Sequence, residues 1–72
     1  MDRPDYRKIF TDNIRKRRKA MGLSLANLAQ RSGLPPKILE ALDQDMIPEE
    51  MMVDDVFALA DVFQCKAHEL FE

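Results

Sequence analysis

Apolar side chains recur at helical spacing along most of the chain. Tyr6, Phe10 and Ile14 are each four residues apart, as expected for one face of a helix. This spacing predicts a first helix from about residue 5 to Ala20. The helix is expected to stop where Gly22 can adopt a left-handed cap.

Two short helices are predicted next. Ser24 is a suitable N-cap for a second helix that runs through about Arg31. Gly33 interrupts it, and Pro35 and Pro36 open a third helix at positions that can spare a backbone N–H. The buried stripe of this third helix is expected to consist of Ile38, Leu39 and Leu42.

The last third of the chain predicts two more helices. Helical spacing continues through Met52, Val56, Leu59, Ala60 and Phe63, and a short final helix would hold Leu70 and Phe71. Pro48 marks either a loop or the first turn of helix four, and Glu49 and Glu50 suit a helix N-terminus. No stretch alternates with period two, so the sequence predicts five helices and an all-α fold.

Length and composition exclude several classes of protein. A chain of 72 residues allows one domain with one modest core. No apolar run is long enough to cross a membrane, and the polar start does not resemble a signal peptide, so we expect a cytoplasmic protein without a membrane partner. The lone cysteine agrees with a reducing compartment.

The sequence offers little to enzyme chemistry. One histidine and one cysteine do not supply a catalytic triad, and no glycine-rich phosphate loop exists. We therefore predict a protein that is not an enzyme and needs no cofactor. Cys65, His68 and Glu72 could form only a weak metal site, and a thiol in the core is the favoured interpretation of Cys65.

Charge is divided unevenly between the two halves of the chain. Residues 1–31 carry nine basic and three acidic side chains, a net charge of +6, and residues 32–72 carry two basic and ten acidic side chains, a net charge of −8. The overall charge of −2 thus hides a basic half and an acidic half. Such asymmetry indicates an interaction surface or two halves that attract each other.

The segment from about 24 to 45 has the skeleton of a helix-turn-helix, which is two short helices joined by a tight glycine turn. Ala29 is small enough for the next helix to cross closely, and Gly33 supplies the turn. Leucines fill the space beneath the two helices at Leu28, Leu34, Leu39 and Leu42.

With these residues in order, the sequence resembles the phage-repressor and Cro type of helix-turn-helix, the XRE family, from about Phe10 to Phe71. The resemblance includes Ile14-Arg15 through Arg18, Gly22-Leu23-Ser24, Leu28-Ala29, Gly33-Leu34, Leu39…Leu42-Asp43, and Leu59-Ala60…Phe63-Gln64…Glu69-Leu70-Phe71. It implies a compact five-helix, lambda-repressor-like domain over residues 10–72, with residues 1–9 as an N-terminal extension that continues into helix one. It also implies a transcriptional regulator that binds an operator in double-stranded DNA as a homodimer.

The resemblance assigns roles to particular positions. Ser24 matches a phosphate contact, while Leu25 stands where the family usually has glutamine. The base-reading positions fall on Pro36, Lys37 and Ala41, with Gln44 near the far end of the helix and Glu40 able to accept from cytosine. Basic residues of helix one, Arg15 among them, would meet phosphates. Arg18 and Asp43 would form an ion pair that ties helix one to the recognition helix.

Several departures from the family pattern weaken this set of contacts. The segment after helix three carries Asp45, Glu49 and Glu50, and acids that face phosphate oppose DNA binding. The segment 48–60 is longer than in the family by about one helical turn, either as added helix or as a loop. A second interpretation is therefore a protein-interaction module or antitoxin-like partner with weak or no DNA binding.

That second interpretation depends on which side chains are exposed. The apolar and acidic face that would bind a protein partner would include Leu25, Pro35, Pro36, Met46, Ile47 and Met51. For the last three of these, burial under the longer segment and exposure are equally compatible with the sequence. Tyr6, Phe10 and Phe71 fit either the core or a dimer surface, and a dimer would use the last helix, the N-terminal extension or both.

Overall fold

The computed structural model describes residues 4–72, and the regular elements in this range are helical. Helix α1 spans Tyr6–Ala20, α2 spans Leu25–Ser32, α3 spans Pro36–Asp43 and α4 spans Val53–Phe63. A terminal 3-10 helix spans Ala67–Phe71. The predicted all-α fold is confirmed, although the fifth helix is a 3-10 helix. The first three residues of the expected N-terminal extension lie outside the described residues.

Three of the helices begin where the sequence predicts. The Asp5 carboxylate accepts the backbone N–H of Lys8 at 3.3 Å, and the Ser24 hydroxyl accepts the backbone N–H of Asn27 at 3.0 Å. Helix α3 begins after Pro35, with Pro36 in its first turn. Each start satisfies or removes backbone donors that a helix leaves without partners.

Helix α4 begins later than the acidic pair after Pro48 predicts. Glu49 and Glu50 lie in a turn, which the Met51 N–H closes on the Pro48 carbonyl at 3.1 Å. Of the two alternatives for Pro48, the structure has the loop, and the acidic pair does not begin α4. The Asp55 carboxylate instead accepts the Met52 N–H at 2.9 Å and caps α4. Residues 44–52 therefore form a loop between α3 and α4.

Left-handed residues end all of the α-helices. Gly22 has φ +67° and Gly33 has φ +77°, while Asp45 and Gln64 adopt φ values of 63° and 56° without being glycine. At the end of α3 the Asp45 N–H donates to the Leu42 carbonyl at 3.1 Å and the Met46 N–H to the Ala41 carbonyl at 2.9 Å. These two bonds form a Schellman motif, which turns the chain sharply away from α3.

The core takes side chains from every helix. Its fully buried members include Phe10, Leu28, Leu39, Leu42, Leu59 and Leu70. The Phe71 ring stacks on Phe10 with ring centroids 4.9 Å apart, and the Asn13 amide donates to the Leu70 carbonyl at 2.8 Å. The terminal 3-10 helix is thereby fixed against α1.

The structure resolves the alternatives that the aromatic residues and the cysteine left open. Phe10 is in the core, Phe71 is half-buried against it, and Tyr6 is exposed. Cys65 is a free thiol, half-buried against the core. His68 is exposed, and its Nε2 atom lies 3.5 Å from Glu72 Oε1. Among residues 4–72, no three His, Cys, Asp or Glu side chains are grouped as metal ligands would be.

None of the described helices combines the length and apolar character that a membrane crossing requires.

Candidate nucleic-acid interface

Helices α2 and α3 form a helix-turn-helix whose inner surface is apolar. Leu28 and Ala29 of α2 and Leu34 of the turn are buried, together with the predicted stripe of Ile38, Leu39 and Leu42 on α3. The Gly33 N–H donates to the Ala29 carbonyl at 2.9 Å, and the Leu34 N–H donates to the Ser32 hydroxyl at 3.2 Å. The turn is therefore hydrogen-bonded at both residues, which fixes the direction in which α3 leaves α2.

The outward face of α3 carries the positions that the resemblance assigns to base reading. Pro36, Lys37, Glu40 and Gln44 are exposed, and Ala41 is half-buried. This face offers one ammonium group, one carboxylate and one amide as polar groups. The structure places these side chains on one surface, opposite the stripe that enters the core.

The start of α2 adds a second set of donors. Ser24 is exposed, and its oxygen accepts from Asn27, which leaves the hydroxyl proton free for an outside acceptor. The N–H groups of Leu25 and Ala26 lie in the first helical turn, where no intrahelical acceptor exists. A phosphate oxygen is the kind of group that such a helix start can bind.

The side chain of Leu25 does not belong to an exposed apolar surface. It is half-buried and packs against the core, so its expected place in an exposed apolar face is wrong. Met51, for which the sequence left burial and exposure open, is also half-buried against the core. Met46 and Ile47 are exposed, with 55% and 39% of their surface accessible. Of the three residues whose burial the sequence left open, Met51 is therefore half-buried, and Met46 and Ile47 are exposed.

Sequence reasoning missed three exposed polar side chains of α2. Asn27, Gln30 and Arg31 are exposed, on the face opposite Leu28 and Ala29. Their spacing of three and four residues is the signal that could have revealed them, because it places them on one side of a helix.

Helix α1 is joined to the end of α3 by a cluster of polar side chains, which we call the α1–α3 clamp (Lys8, Thr11, Asp12, Arg15 and Asp45). Arg15 donates to Asp12 Oδ1 at 2.8 Å, to Asp45 Oδ1 at 2.6 Å and to the Asp43 carbonyl at 2.9 Å. The buried Thr11 hydroxyl lies 3.0 Å from Asp45 Oδ1, and Lys8 Nζ lies 3.8 Å from Asp45 Oδ2. The clamp therefore joins side chains that are thirty or more positions apart in the sequence.

The clamp changes two expectations about the DNA-binding face. Arg15, expected to meet phosphates, directs its guanidinium to three acceptors within the protein and has a side chain that is only 25% exposed. Asp45, expected to face DNA, is instead paired with two cations of α1. These two pairings compensate the charge of Asp45, whereas Glu49 and Glu50 are exposed and form no salt bridge among the described residues.

Hydrogen bonding within the clamp shifts the pKa of two of its members. The Arg15 guanidinium, which donates to the Asp12 carboxylate, holds the pKa of Asp12 below its ordinary value, and Lys8 contributes in the same direction. The same hydrogen bond raises the pKa of Arg15. Both groups stay charged at neutral pH, as a structural ion pair requires.

Arg18 and Asp43 lie next to each other in the structure. Arg18 Nη2 is 3.3 Å from Asp43 Oδ1, and Nη1 donates to the Leu23 carbonyl at 2.9 Å. Arg18 Nε is buried and has no hydrogen-bond partner among the described residues. The pair joins α1 both to the end of α3 and to the residue before Ser24.

Comparisons with known proteins agree with this geometry. A protein family described as "Helix-turn-helix domain" matches residues 13–54, which is more than half of the chain. The chain belongs to this helix-turn-helix family.

Two solved structures are similar to the chain over most of its length. The restriction-modification controller protein C.AhdI from Aeromonas hydrophila is 26% identical, with a TM-score of 0.78, and the match covers 90% of this chain and 96% of that one. A hypothetical transcription factor, NHTF from Neisseria, is 21% identical, with a TM-score of 0.81, and the match covers 100% of this chain and 84% of that one. The latter likeness concerns the fold alone. No curated protein matches the chain in sequence.

Proposed function

We propose that this protein is a DNA-binding transcriptional regulator that docks α3 in the major groove of double-stranded DNA. The observation that carries the proposal is the outward face of α3, where Lys37, Glu40 and Gln44 are exposed beside the open start of α2. The likeness to C.AhdI, a restriction-modification controller protein, supports a regulatory role. The proposal involves no catalytic residue and no cofactor.

In this arrangement α3 reads the base edges. Lys37 reaches a guanine edge or a phosphate, and Gln44 can donate to and accept from a base. Ala41 can contact a thymine methyl group, and Glu40 accepts from cytosine N4. Pro36 has no donor and contributes only shape, so sequence discrimination rests on few side chains.

Phosphate contacts come from α2 and from the exposed lysines of α1. Ser24 and the first N–H groups of α2 form one such contact, to which Asn27 and Arg31 are suited to add. Lys16 and Lys19 are exposed, and neither forms a salt bridge within residues 4–72. Arg15 is left out of this set because both of its terminal nitrogens already donate to acceptors within the protein.

We further propose that the protein binds DNA as a homodimer. Two copies of α3 must lie about 34 Å apart to meet successive major grooves on one side of DNA. The terminal 3-10 helix and the start of α1, where Tyr6 is exposed, are the segments that would hold such a dimer together. Light scattering at the concentrations used for DNA binding measures whether the protein is a monomer or a dimer.

A pair of lysine variants tests the role of α3. Lys37→Ala and Lys66→Ala make the same change in net charge, but Lys66 lies between α4 and the terminal 3-10 helix. With DNA from upstream of the protein's own gene, Lys37→Ala should weaken binding about tenfold, since it removes a base-edge or phosphate contact. Lys66→Ala should leave the affinity close to that of the wild type, as measured by fluorescence anisotropy.

Equal effects of the two variants would contradict docking through α3, because they would show that only net charge matters. Absence of binding by the wild-type dimer at low salt would contradict the proposed function as a whole.

A further inference from the structure

The start of α4 presents large apolar side chains to solvent. Met52, Val53 and Phe57 are 70%, 68% and 57% exposed, and we call these three residues the α4 patch. Val53 and Phe57 are four residues apart in one helix, so their side chains are neighbours on its surface. Met46 and Ile47, in the loop that leads to α4, are exposed as well.

The α4 patch is not needed by the core of this domain. The buried side of α4 is formed by Leu59, Ala60 and Phe63, with Val56 half-buried beside them. A helix that already has a complete inner face gains nothing within the domain from an exposed phenylalanine on the outer one. Exposed apolar groups in contiguous positions typically mark a surface that a partner covers.

Exposed acids lie near the patch in the sequence, on α4 and in the loop before it, and form no ion pair among the described residues. Asp43 and Asp45 are paired with arginines of α1, and Asp55 caps α4. The exposed carboxylates of Glu49, Glu50, Asp54 and Asp61 take part in no salt bridge within residues 4–72. The sequence contains no lysine or arginine from residue 38 to residue 65 that could neutralise them.

Charge also decides which occupant suits this surface. DNA is excluded, because the acids around the patch would repel phosphates. A second copy on a two-fold axis would bring the same acids together, since such an interface sets a patch against itself. A protein segment with apolar side chains flanked by lysine or arginine satisfies both the patch and its acids.

We propose that the α4 patch, with its acidic surround, binds a partner protein through a basic segment that carries an apolar anchor. This surface differs from the outward face of α3, and the proposal holds whether or not the domain binds DNA. The partner covers Phe57 and Val53 with its apolar side chains and pairs its cations with Glu49, Glu50, Asp54 or Asp61.

Binding of two designed helical peptides tests the proposal. Both carry one row of leucines, which is flanked by lysines in the first peptide and by glutamates in the second. We expect the basic peptide to bind at least about tenfold more tightly, and its affinity to fall as salt is added. In spectra of isotope-labelled wild-type protein, the shifts should be confined to residues 46–61.

Two variants locate the site without disturbing the fold. The double variant Val53→Ser/Phe57→Ser removes only exposed side chains, so its urea midpoint should match that of the wild type, and the basic peptide should bind about tenfold more weakly. Met21→Ser is the matched control, because Met21 is an exposed apolar residue at the basic end of α1. It should bind the peptide as the wild type does.

Equal affinity for the two peptides, no binding at millimolar peptide, or shifts outside residues 46–61 would overturn the proposal. Sedimentation of the wild type and the double variant tests the other occupant. A dimer that becomes a monomer only in Val53→Ser/Phe57→Ser would show that a second copy covers the patch, which also overturns the proposal.

Discussion

Asp45 adopts a left-handed backbone conformation that usually belongs to glycine, with φ 63°, at the point where α3 ends. This conformation destabilises a residue with a Cβ atom by about 1 kcal/mol. The bonds from Arg15 and Thr11 to the Asp45 carboxylate offset that cost by tying the turn to α1. At this position the contacts of the side chain compensate for a steric cost that glycine would avoid.

Two substitutions at position 45 separate the strain from the contacts. Asp45→Ala loses the ion pairs and keeps the backbone strain, so it should be clearly less stable than the wild type. Asp45→Gly loses the same pairs but relieves the strain, and should be more stable than Asp45→Ala by about 1 kcal/mol. Urea unfolding followed by circular dichroism measures both.

If Asp45→Ala were as stable as the wild type, the clamp would contribute nothing to the fold. If Asp45→Gly were no more stable than Asp45→Ala, the turn would not be strained.

Asp12 makes the free energy of unfolding decrease at acid pH. Its pKa in the folded protein is lowered by the hydrogen bond from Arg15, so its contribution is complete above the unfolded value of about 3.9 and is lost as the pH falls through the lowered value. Glu69, whose pKa the Lys66 N–H lowers, acts with the same sign. Asp12→Asn should therefore be less stable than the wild type at neutral pH, and the two should converge near pH ~2.

Urea midpoints measured from neutral to acid pH test this dependence. Asp54→Asn is the control, because Asp54 is exposed and forms no salt bridge among the described residues. It should follow the wild-type curve. A constant difference between Asp12→Asn and the wild type at every pH would contradict the role of the carboxylate charge.

At the scale of the elements, the conformation of the turn between α2 and α3 depends on one glycine. Gly33 has φ +77°, and a Cβ atom built on it would meet nothing within 4 Å, so substitution would strain only the backbone. Gly33→Ala should lower the free energy of unfolding by about 1 kcal/mol, and Gly33→Asn by less, because asparagine tolerates this conformation better. Urea midpoints give the order, and an alanine variant as stable as the wild type would contradict it.

Local sequence signals predicted most helix boundaries and left one open. Ser24, Gly33 and the proline pair begin or end helices through their immediate neighbours. Their effect can therefore be predicted from a few residues of sequence. At α4, Glu49 and Glu50 after Pro48 resembled a helix start, but the Asp55 side chain captured the Met52 N–H and moved the start to Val53. Two competing caps within one segment are decided by how the loop packs, which the local pattern does not contain.

For the candidate site, helical spacing identified the outward face of α3 because Ile38, Leu39 and Leu42 fix the inward one. The roles of Arg15 and Asp45 were not predictable in this way. Their side chains meet across thirty positions of sequence, and only the crossing of α1 over the end of α3 brings them together. The same fact explains why Asp45 and Glu49 looked alike in the sequence and differ in the fold.

Taken as a whole, the molecule uses its divided charge in two ways. Part of the acidic half neutralises α1 internally, through Asp43 and Asp45. Four more acids, Glu49, Glu50, Asp54 and Asp61, are exposed on α4 or in the loop before it. Exposed cations of α1, α2 and α3 that form no salt bridge among the described residues stay available for phosphate. The net charge of −2 therefore does not argue against DNA binding, provided that DNA approaches α3 and leaves the α4 patch uncovered.

The most direct test of this account is the salt dependence of DNA binding by the wild-type protein. Each phosphate that meets a lysine or arginine lowers log K by about 0.9 for every unit of log salt concentration. With DNA from upstream of its own gene, we predict a linear plot with a slope of about −2.7 or steeper, which corresponds to at least about three phosphate contacts. A slope near zero, or no binding at low salt, would contradict the claim that this helix-turn-helix domain binds DNA.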